Sequence, residues 1–436
     1  MSDLATGEFT RRTTCRVCHA GGLATVLDYG RVPLAGNFLL PEAVGTEKLY
    51  PMDLSLCPEC SLLQISNVVS GEELFTDYRY LSSVTGTLMS HFREYAAVID
   101  QLLQAGNGGN AGGSGRGLVV EFGCNDGVLL APLKERGVRA VGVDAAENVV
   151  ARARARGLDV VHGFFGPGIA QQIRGGHGAA SLITASNVFA HIDDMDAVMQ
   201  GVDTLLAPGG VLAVEVHYVV DLLEQVQFET VYHEHLCYYS AHALERLFER
   251  FGMTIADIQR LPMHGGAIRV FARRRDDPKA QRTARAERLF ELEAAMRLHE
   301  PEGYARFAAE TLRRRDAIRR LVLSRKRAGR SVCGYGAAGR ATTLLNYCGL
   351  DHTVLDYIVD ESPSRVGRYV PGVATPIVPR EAFHARPTDD CLLTAWNYRE
   401  EIIGKEGDFL AAGGTFLAPL PEIEIIEGPQ PCRRSA

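Results

Sequence analysis

A basic excess is missing from this sequence. Its 46 lysines and arginines stand against 53 aspartates and glutamates, a net charge of -7, which argues against a broad nucleic-acid surface. Long apolar runs are missing too. The opening residues, MSDLATGEFTRRTTC, hold no core of signal-peptide length, and no later stretch approaches a membrane span. A cytoplasmic protein without a membrane partner is the expectation. Ten cysteines in 436 residues, with no secretion signal beside them, do not make a disulfide scaffold. What is present is ordinary for a globular chain, 46% hydrophobic and 23% charged, with length for two or three domains.

The stretch around which the chain is organised is residues 117–130, GLVVEFGCNDGVLL. Val119 and Val120 predict a buried strand closed by Glu121, and Gly123, Asn125, Asp126 and Gly127 predict a tight turn before a helix. Such a turn admits a ligand close to the backbone, and the helix that follows offers free N–H groups. The loop has no G-x-G-x-x-G and carries an acid at its strand end. An acid there repels a pyrophosphate but attracts a sulfonium bearing an amino group, so the residues favour S-adenosylmethionine over NAD. A second strand, residues 140–144, ends in Asp144, where α/β pockets hold ribose hydroxyls. Further strands are expected at residues 158–161 and 180–184, the latter leading to Asn187 and His191 at the same crevice. His191 alone would serve equally as a helix cap.

Ahead of this unit, Cys15, Cys18, Cys57 and Cys60 form two C-x2-C pairs 38 residues apart. Two such turns brought together complete a tetrahedral zinc site with no open position, hence a structural one. Asp53, Glu59, Glu72 and Glu73 around it speak against a nucleic-acid ribbon. Tyr78, Tyr80, Ser82 and Ser83 cluster before a predicted helix as either a substrate lid or an aromatic hinge, and residues 106–117 read as a surface loop.

The densest chemistry lies at residues 228–240, FETVYHEHLCYYS. Histidine can take a proton near neutral pH while a glutamate or tyrosine orients it or meets an oxyanion, so acid–base work suits Tyr232, His233, Glu234 and His235. A metal on His233 and His235 has no evident third ligand. His264-Gly265-Gly266 and Arg269 suit a phosphate or sugar contact, or simply a turn. Residues 278–330 predict two helices split at Pro301, their arginines forming a charged face. The tail carries G-x-G-x-x-G at Gly334, Gly336 and Gly339, followed by Asp360 at about the ribose distance. With about 110 residues it is expected to be too short for a full six-stranded dinucleotide domain. NAD, phosphate contacts to a substrate, or no ligand all fit it, and the lone tryptophan, Trp396, either stacks a base or packs.

In this order, the two C-x2-C pairs, the E-x-G-x-N-D-G loop, Tyr232-His233-Glu234-His235 as Y-x-E-H, the G-G-x-x-R turn and the Rossmann-like tail resemble the sugar C-methyltransferases of antibiotic deoxysugar pathways. That family methylates carbon 3 of nucleotide-linked 4-keto-deoxysugars, and the resemblance spans essentially the whole chain. It implies an α/β architecture: an N-terminal zinc-binding domain over residues 1–74, a central Rossmann-like class I S-adenosylmethionine-dependent methyltransferase domain over 75–277, and a helical connection with a smaller C-terminal Rossmann-like domain over 278–436. It implies S-adenosylmethionine at Glu121, Gly123, Asn125, Gly127, Asp144 and Asn187, structural zinc on the four cysteines, and a dTDP-4-keto-deoxysugar substrate, in a monomer or small homo-oligomer. By the same match His235 is the general base, Tyr232 and Glu234 stand beside it, Tyr80 is a lid tyrosine facing the sugar, and His191 lies near the reacting centre. His233, inside the Y-x-E-H, departs from the pattern and bears on which histidine is the base. Read without the family, the residues also suit an O- or N-methyltransferase or an NAD-linked nucleotide-sugar enzyme.

Overall fold

From residue 118 onward the short apolar runs assemble into a seven-stranded sheet in the computed structural model, which describes residues 4–5, 9–69, 74, 86–106 and 117–428. Its strands are β1 (Leu118–Phe122), β2 (Ala140–Asp144), β3 (Val160–His162), β4 (Ala180–Ser186), β5 (Leu206–His217), β6 (Met253–Leu261) and β7 (Ala267–Arg274). The order is β6-β7-β5-β4-β1-β2-β3, with β7 alone running against the rest. Every residue of β1 is buried, as a parallel strand covered on both faces requires. The chain reverses direction across the sheet between β1 and β4, so the carboxyl ends of β1, β2, β4 and β5 open onto one crevice. Pro208-Gly209-Gly210 form a bulge within β5, between the pairs Ala180–Leu206 and Leu182–Val211. Helix α1 (Gly86–Gly106) lies on this sheet with Leu88, Phe92, Tyr95, Ile99 and Leu103 buried, a stripe at helical spacing.

The N-terminal head folds as an antiparallel sheet of residues Ala24–Pro33, Leu49–Leu56 and Leu63–Ile65. Its fourth strand, Cys237–Tyr238, arrives from the densest segment and pairs Cys237 with Gln64 and Tyr238 with Leu63. Helix α2 (Ala241–Glu249) follows, its first N–H groups taken by Ser240 Oγ and by Glu293 of α3 (Ala284–Ala295), which accepts from Ala241 at 2.6 Å and His242 at 3.1 Å. Helix α4 (Glu302–Arg327) buries Tyr304, Phe307, Ile318 and Val322 and turns most of its arginines outward.

The tail corrects one expectation. It is a six-stranded sheet, β8 (Val332–Tyr335), β9 (Ile358–Val359), β10 (Ile377–Val378), β11 (Asp390–Leu393), β12 (Thr415–Ala418) and β13 (Glu424–Glu427), in the order β10-β9-β8-β11-β12-β13. Strands of two to four residues fit six into a length that would not hold six of average size. Helix α5 (Gly339–Cys348) follows β8. One apolar core runs through all three parts, from Leu54 and Leu63 through Phe122, Phe189 and Tyr238 to Leu344 and Phe416. Among the described residues no helix is long and apolar enough to cross a membrane.

Candidate active site

The strand ends, the 228–240 segment and the start of α5 enclose a cavity of about 1110 Å³. Its first half belongs to the loop after β1. Gly123 has φ +68°, and a Cβ there would strike Val188 at 2.1 Å, so only glycine fits. The Gly123 N–H donates to the Val143 carbonyl at 2.7 Å, and Asn125 N–H donates to Asp144 Oδ2 at 2.9 Å. Asp144, which also accepts from Ala146 N–H at 3.0 Å, is therefore fixed against the turn. Gly123, Asn125, Asp144 and Asn187 all line the cavity. Among the described residues Ser186 Oγ and Asn187 Oδ1 are buried there without a protein partner, which suits a polar ligand. Glu121 and Gly127 lie behind this wall rather than in it. Glu121 is inside the sheet, where burial first and then Asp144 push its carboxyl well above the usual range. Gly127, at φ +81°, turns toward Leu158. In parallel strands the last residue and the loop beyond it form the ligand wall; Phe122 ends β1 and lines the cavity, and Glu121 stands one residue too early.

The second half gathers His191, Tyr232, Glu234 and His235. His235 Nδ1 lies 3.0 Å from the Thr230 carbonyl, so that nitrogen carries the hydrogen, and Nε2 accepts from the Tyr232 hydroxyl at 2.8 Å. Burial, then the neighbouring His191 and His217, hold His235 well below the ordinary histidine range. His191 Nδ1 donates to the Glu234 carbonyl at 2.5 Å, and burial lowers its pKa against that bond. Glu234 Oε1 accepts the Gly36 N–H at 2.8 Å, while Oε2 is buried with no partner among the described residues. Tyr80 lies outside the described residues. His233 is turned away: it is fully buried, edge-on to Tyr50, with Nε2 donating to the Pro51 carbonyl at 3.3 Å.

Three further residues reach the cavity. His217 closes β5, and its ring centroid stands 5.1 Å from that of His235 and 5.7 Å from that of His264. Arg340, the second residue of α5, donates to the His264 carbonyl at 2.5 Å and stands 3.5 Å from Glu229. The strand-end rule that selects Asp144 and Asn187 also selects His217; nothing local marks Arg340. Arg269, a candidate sugar contact, is instead buried in an ion pair with Glu215 and lies 3.6 Å over the Tyr95 ring. Trp396 packs, its Nε1 donating to Glu229 Oε1 at 2.8 Å. Asp360 accepts from Ala337 and Ser362 N–H and pairs with Arg365, so the acid at the ribose distance is spent within the tail.

In the head, Cys15 and Cys60 sulfurs are 3.5 Å apart, as are those of Cys18 and Cys57, and all four lie within 4.8 Å of one another. Tetrahedral zinc with bonds of about 2.3 Å needs sulfurs about 3.8 Å apart, so the set fits zinc. Among the described residues it is the one such group.

Residues 15–75 match the model of a zinc binding domain, 89–258 a methyltransferase domain, and 262–421 a C-methyltransferase C-terminal domain. The C-methyltransferase NovU of Streptomyces niveus is 38% identical over 413 residues, covering 94% of this chain and 96% of NovU. The chain belongs to the C-methyltransferase family. Solved structures similar to part of this C-methyltransferase include magnesium protoporphyrin IX methyltransferase ChlM from Synechocystis PCC 6803 with bound SAH (16% identity, 44% of this chain and 89% of that one, TM-score 0.33) and CcbJ from Streptomyces caelestis (16%, 42% and 89%, TM-score 0.31). The methyl donor of the C-methyltransferase is S-adenosylmethionine, and its head is a zinc domain. Four thiolates leave zinc no open position, so the metal is structural. The donor supplies an electrophilic methyl group; the protein must make a carbon of the substrate nucleophilic.

Proposed function

We propose that this C-methyltransferase methylates carbon 3 of a dTDP-4-keto-deoxysugar through a base-generated enolate. The observation that carries this reading is the Tyr232–His235 pair in the cavity wall, a hydroxyl bonded to an unprotonated ring nitrogen whose tautomer the Thr230 carbonyl fixes. A ketone at carbon 4 acidifies carbon 3. The carbon-3 proton passes to the pair and ends on His235 Nε2, and the enolate carbon takes the methyl group. Gly123, Asn125, Asp144 and Asn187 hold the donor, Glu234 Oε2 meets a sugar hydroxyl, and His191 stands beside the reacting carbon. Support for a nucleotide diphosphate comes from the far wall, where the start of α5, Arg340 and Arg365 line the cavity; helix N-termini and guanidinium groups both favour phosphate. General-base catalysis contributes about 10² to 10⁴-fold, so alignment of methyl and carbon must supply much of the rest.

Incubation of the protein with dTDP-4-keto-6-deoxyglucose in heavy water, without methyl donor, tests the reading. Deuterium is expected at carbon 3. Because the ketone acidifies carbons 3 and 5 alike, label at carbon 5 would move the methylated position and keep the enolate. No exchange at either carbon would remove the enolate and leave C-methylation of another substrate or by another route.

A further inference from the structure

An enolate needs a donor for its oxygen as well as a base for its proton, and the two histidines of the base side offer none. A carbonyl oxygen only accepts, so the nitrogens of His191 and His235 that face the Glu234 and Thr230 carbonyls must carry the hydrogens. The Tyr232 hydroxyl is likewise committed to His235 Nε2. His217 differs. Its imidazole lines the cavity, and among the described residues neither ring nitrogen makes a hydrogen bond to the protein. The ring is held by contacts alone, 5.1 Å from His235 and edge-on to His264 at 89°. His264 has a left-handed backbone, φ +55° and ψ 20°, a strained conformation for a non-glycine residue. Gly265 and Gly266 follow it with positive φ, and Arg340 grips its carbonyl. Strain of this kind persists where the surroundings enforce it, often at functional sites. Here it sets one imidazole edge-on against another in the cavity wall.

We infer that His217 is a catalytic residue of the reaction, donating an N–H hydrogen bond to the carbon-4 oxygen while the Tyr232–His235 pair removes the neighbouring proton. The spacing fits. The oxygen and the carbon that loses its proton are about 2.4 Å apart by ordinary bond geometry, so two rings in contact side by side on the cavity wall, centroids 5.1 Å apart, can each address one of two neighbouring atoms. The C–H bond breaks with its proton going to the pair, its electrons form the carbon–carbon double bond, and the carbonyl π electrons move to the oxygen held by His217. The enolate carbon then bonds the methyl group, and the sulfur leaves with the former S–C electrons. Burial, and after it the Arg340 guanidinium, hold His217 well below the ordinary histidine range. It stays neutral and keeps one N–H for the oxygen, without donating a whole proton.

The inference rests on the enolate reading, and its test separates the two. Hydrogen exchange of dTDP-4-keto-6-deoxyglucose in heavy water, methyl transfer, and calorimetric binding of S-adenosylmethionine are compared for the parent protein, His217→Phe and His217→Asn. The phenylalanine keeps the ring volume without the donor; the asparagine keeps an N–H. Exchange and transfer are expected to fall about 10² to 10³-fold in His217→Phe, to recover at least about tenfold of that in His217→Asn, and to do so with donor binding unchanged. Exchange in His217→Phe at the parent rate overturns the role of His217 and leaves the enolate standing. Equal loss in both variants also overturns it, because a packing role would not distinguish them by their N–H. Absence of exchange in the parent protein overturns the enolate reading, and His217 with it. If His217→Phe fails to bind donor, His217→Leu replaces it as the variant without an N–H: with donor binding retained, exchange at least about tenfold below that of His217→Asn supports the role, and equal exchange in the two removes it.

Discussion

His233 and His235 stand two residues apart and serve opposite ends. His235 faces the cavity, whereas His233 is wedged beneath Tyr50 with its Nδ1 unpaired, and burial pushes its pKa down to about 4. A histidine whose folded pKa lies below its unfolded value near 6.5 binds fewer protons in the native state, so its contribution is fully present above about pH 6.5 and is lost as pH falls toward 4. For His233 the loss between pH 7 and pH 5 amounts to about 2 kcal/mol. In His233→Gln, which does not titrate, urea unfolding should lose that much less stability over the same interval; parallel losses in both proteins would rule out His233 as the source. The departure from Y-x-E-H at position 233 is thus a matter of packing under Tyr50, and it leaves His235 as the histidine paired with Tyr232. The sequence shows two adjacent histidines with equal claims. What separates them is which one meets Pro51, a contact between residues 182 positions apart that no local pattern displays.

At the scale of elements, the 228–240 segment is held from three sides. The head contributes the Tyr29 hydroxyl on the Phe228 carbonyl at 2.8 Å and the Gly36 N–H on Glu234; the central unit contributes the Ala190 carbonyl, which accepts from Leu236 N–H at 2.6 Å; the tail contributes Thr343 Oγ1 on the Val231 carbonyl at 3.0 Å and Trp396 on Glu229. Two glycines permit the closest of these approaches. A Cβ on Gly36 would fall 2.7 Å from Glu234 Oε1, and one on Gly339 would fall 3.3 Å from the Tyr232 ring. Gly36→Ala should therefore displace Glu234 and weaken sugar-nucleotide binding, while Gly339→Ala should nudge Tyr232 off His235 and lower kcat. Misplacement of reacting groups by about 1 Å costs on the order of 10²-fold, so tenths of an ångström at Tyr232 should cost a few-fold, and at Gly36, where the far end of the Glu234 side chain can yield, the effect should be a few-fold and fall on KM. Steady-state kinetics of both variants checks the split, and unchanged kcat/KM in Gly36→Ala would show that Glu234 does not meet the sugar. The strand ends were legible because parallel α/β sheets expose them by rule: Asp144, Asn187 and, by the same rule, His217. The grip on 228–240 was not, because it is made of pairs such as Tyr238 with Leu63 and Trp396 with Glu229, far apart in sequence and without periodicity. The Gly334, Gly336 and Gly339 motif left NAD, phosphate contacts and no ligand equally open for the same reason. Gly336 lies against Ala395 and Gly334 against Ile358, so two of its three glycines serve packing within the tail.

For the whole molecule, these contacts tie a structural metal to a reaction it never touches. Cys57 and Cys60 directly precede the strand Leu63–Ile65, and that strand carries Cys237–Tyr238 as its neighbour, two residues beyond His235. Structural zinc contributes on the order of 10 kcal/mol or more to the folding of small domains, and here it fixes the Cys57–Cys60 turn, whose Cys57 N–H donates to the Leu62 carbonyl at 2.8 Å just ahead of that strand. Loss of zinc should free the Leu63–Ile65 edge, then the Cys237–Tyr238 strand, then the orientation of Tyr232, Glu234 and His235. The donor wall is built differently: Gly123, Asn125, Asp144 and Asn187 all hang from β1, β2 and β4, which are braced within the central sheet. Cys57→Ser should accordingly lower bound zinc, measured by elemental analysis, and reduce methyl transfer by at least about 10²-fold, while calorimetry still records S-adenosylmethionine binding within several-fold of the parent. Full methyl transfer from zinc-free protein would break the proposed chain from metal to base. Joint loss of donor binding and transfer would show that the central sheet depends on the head for its own folding.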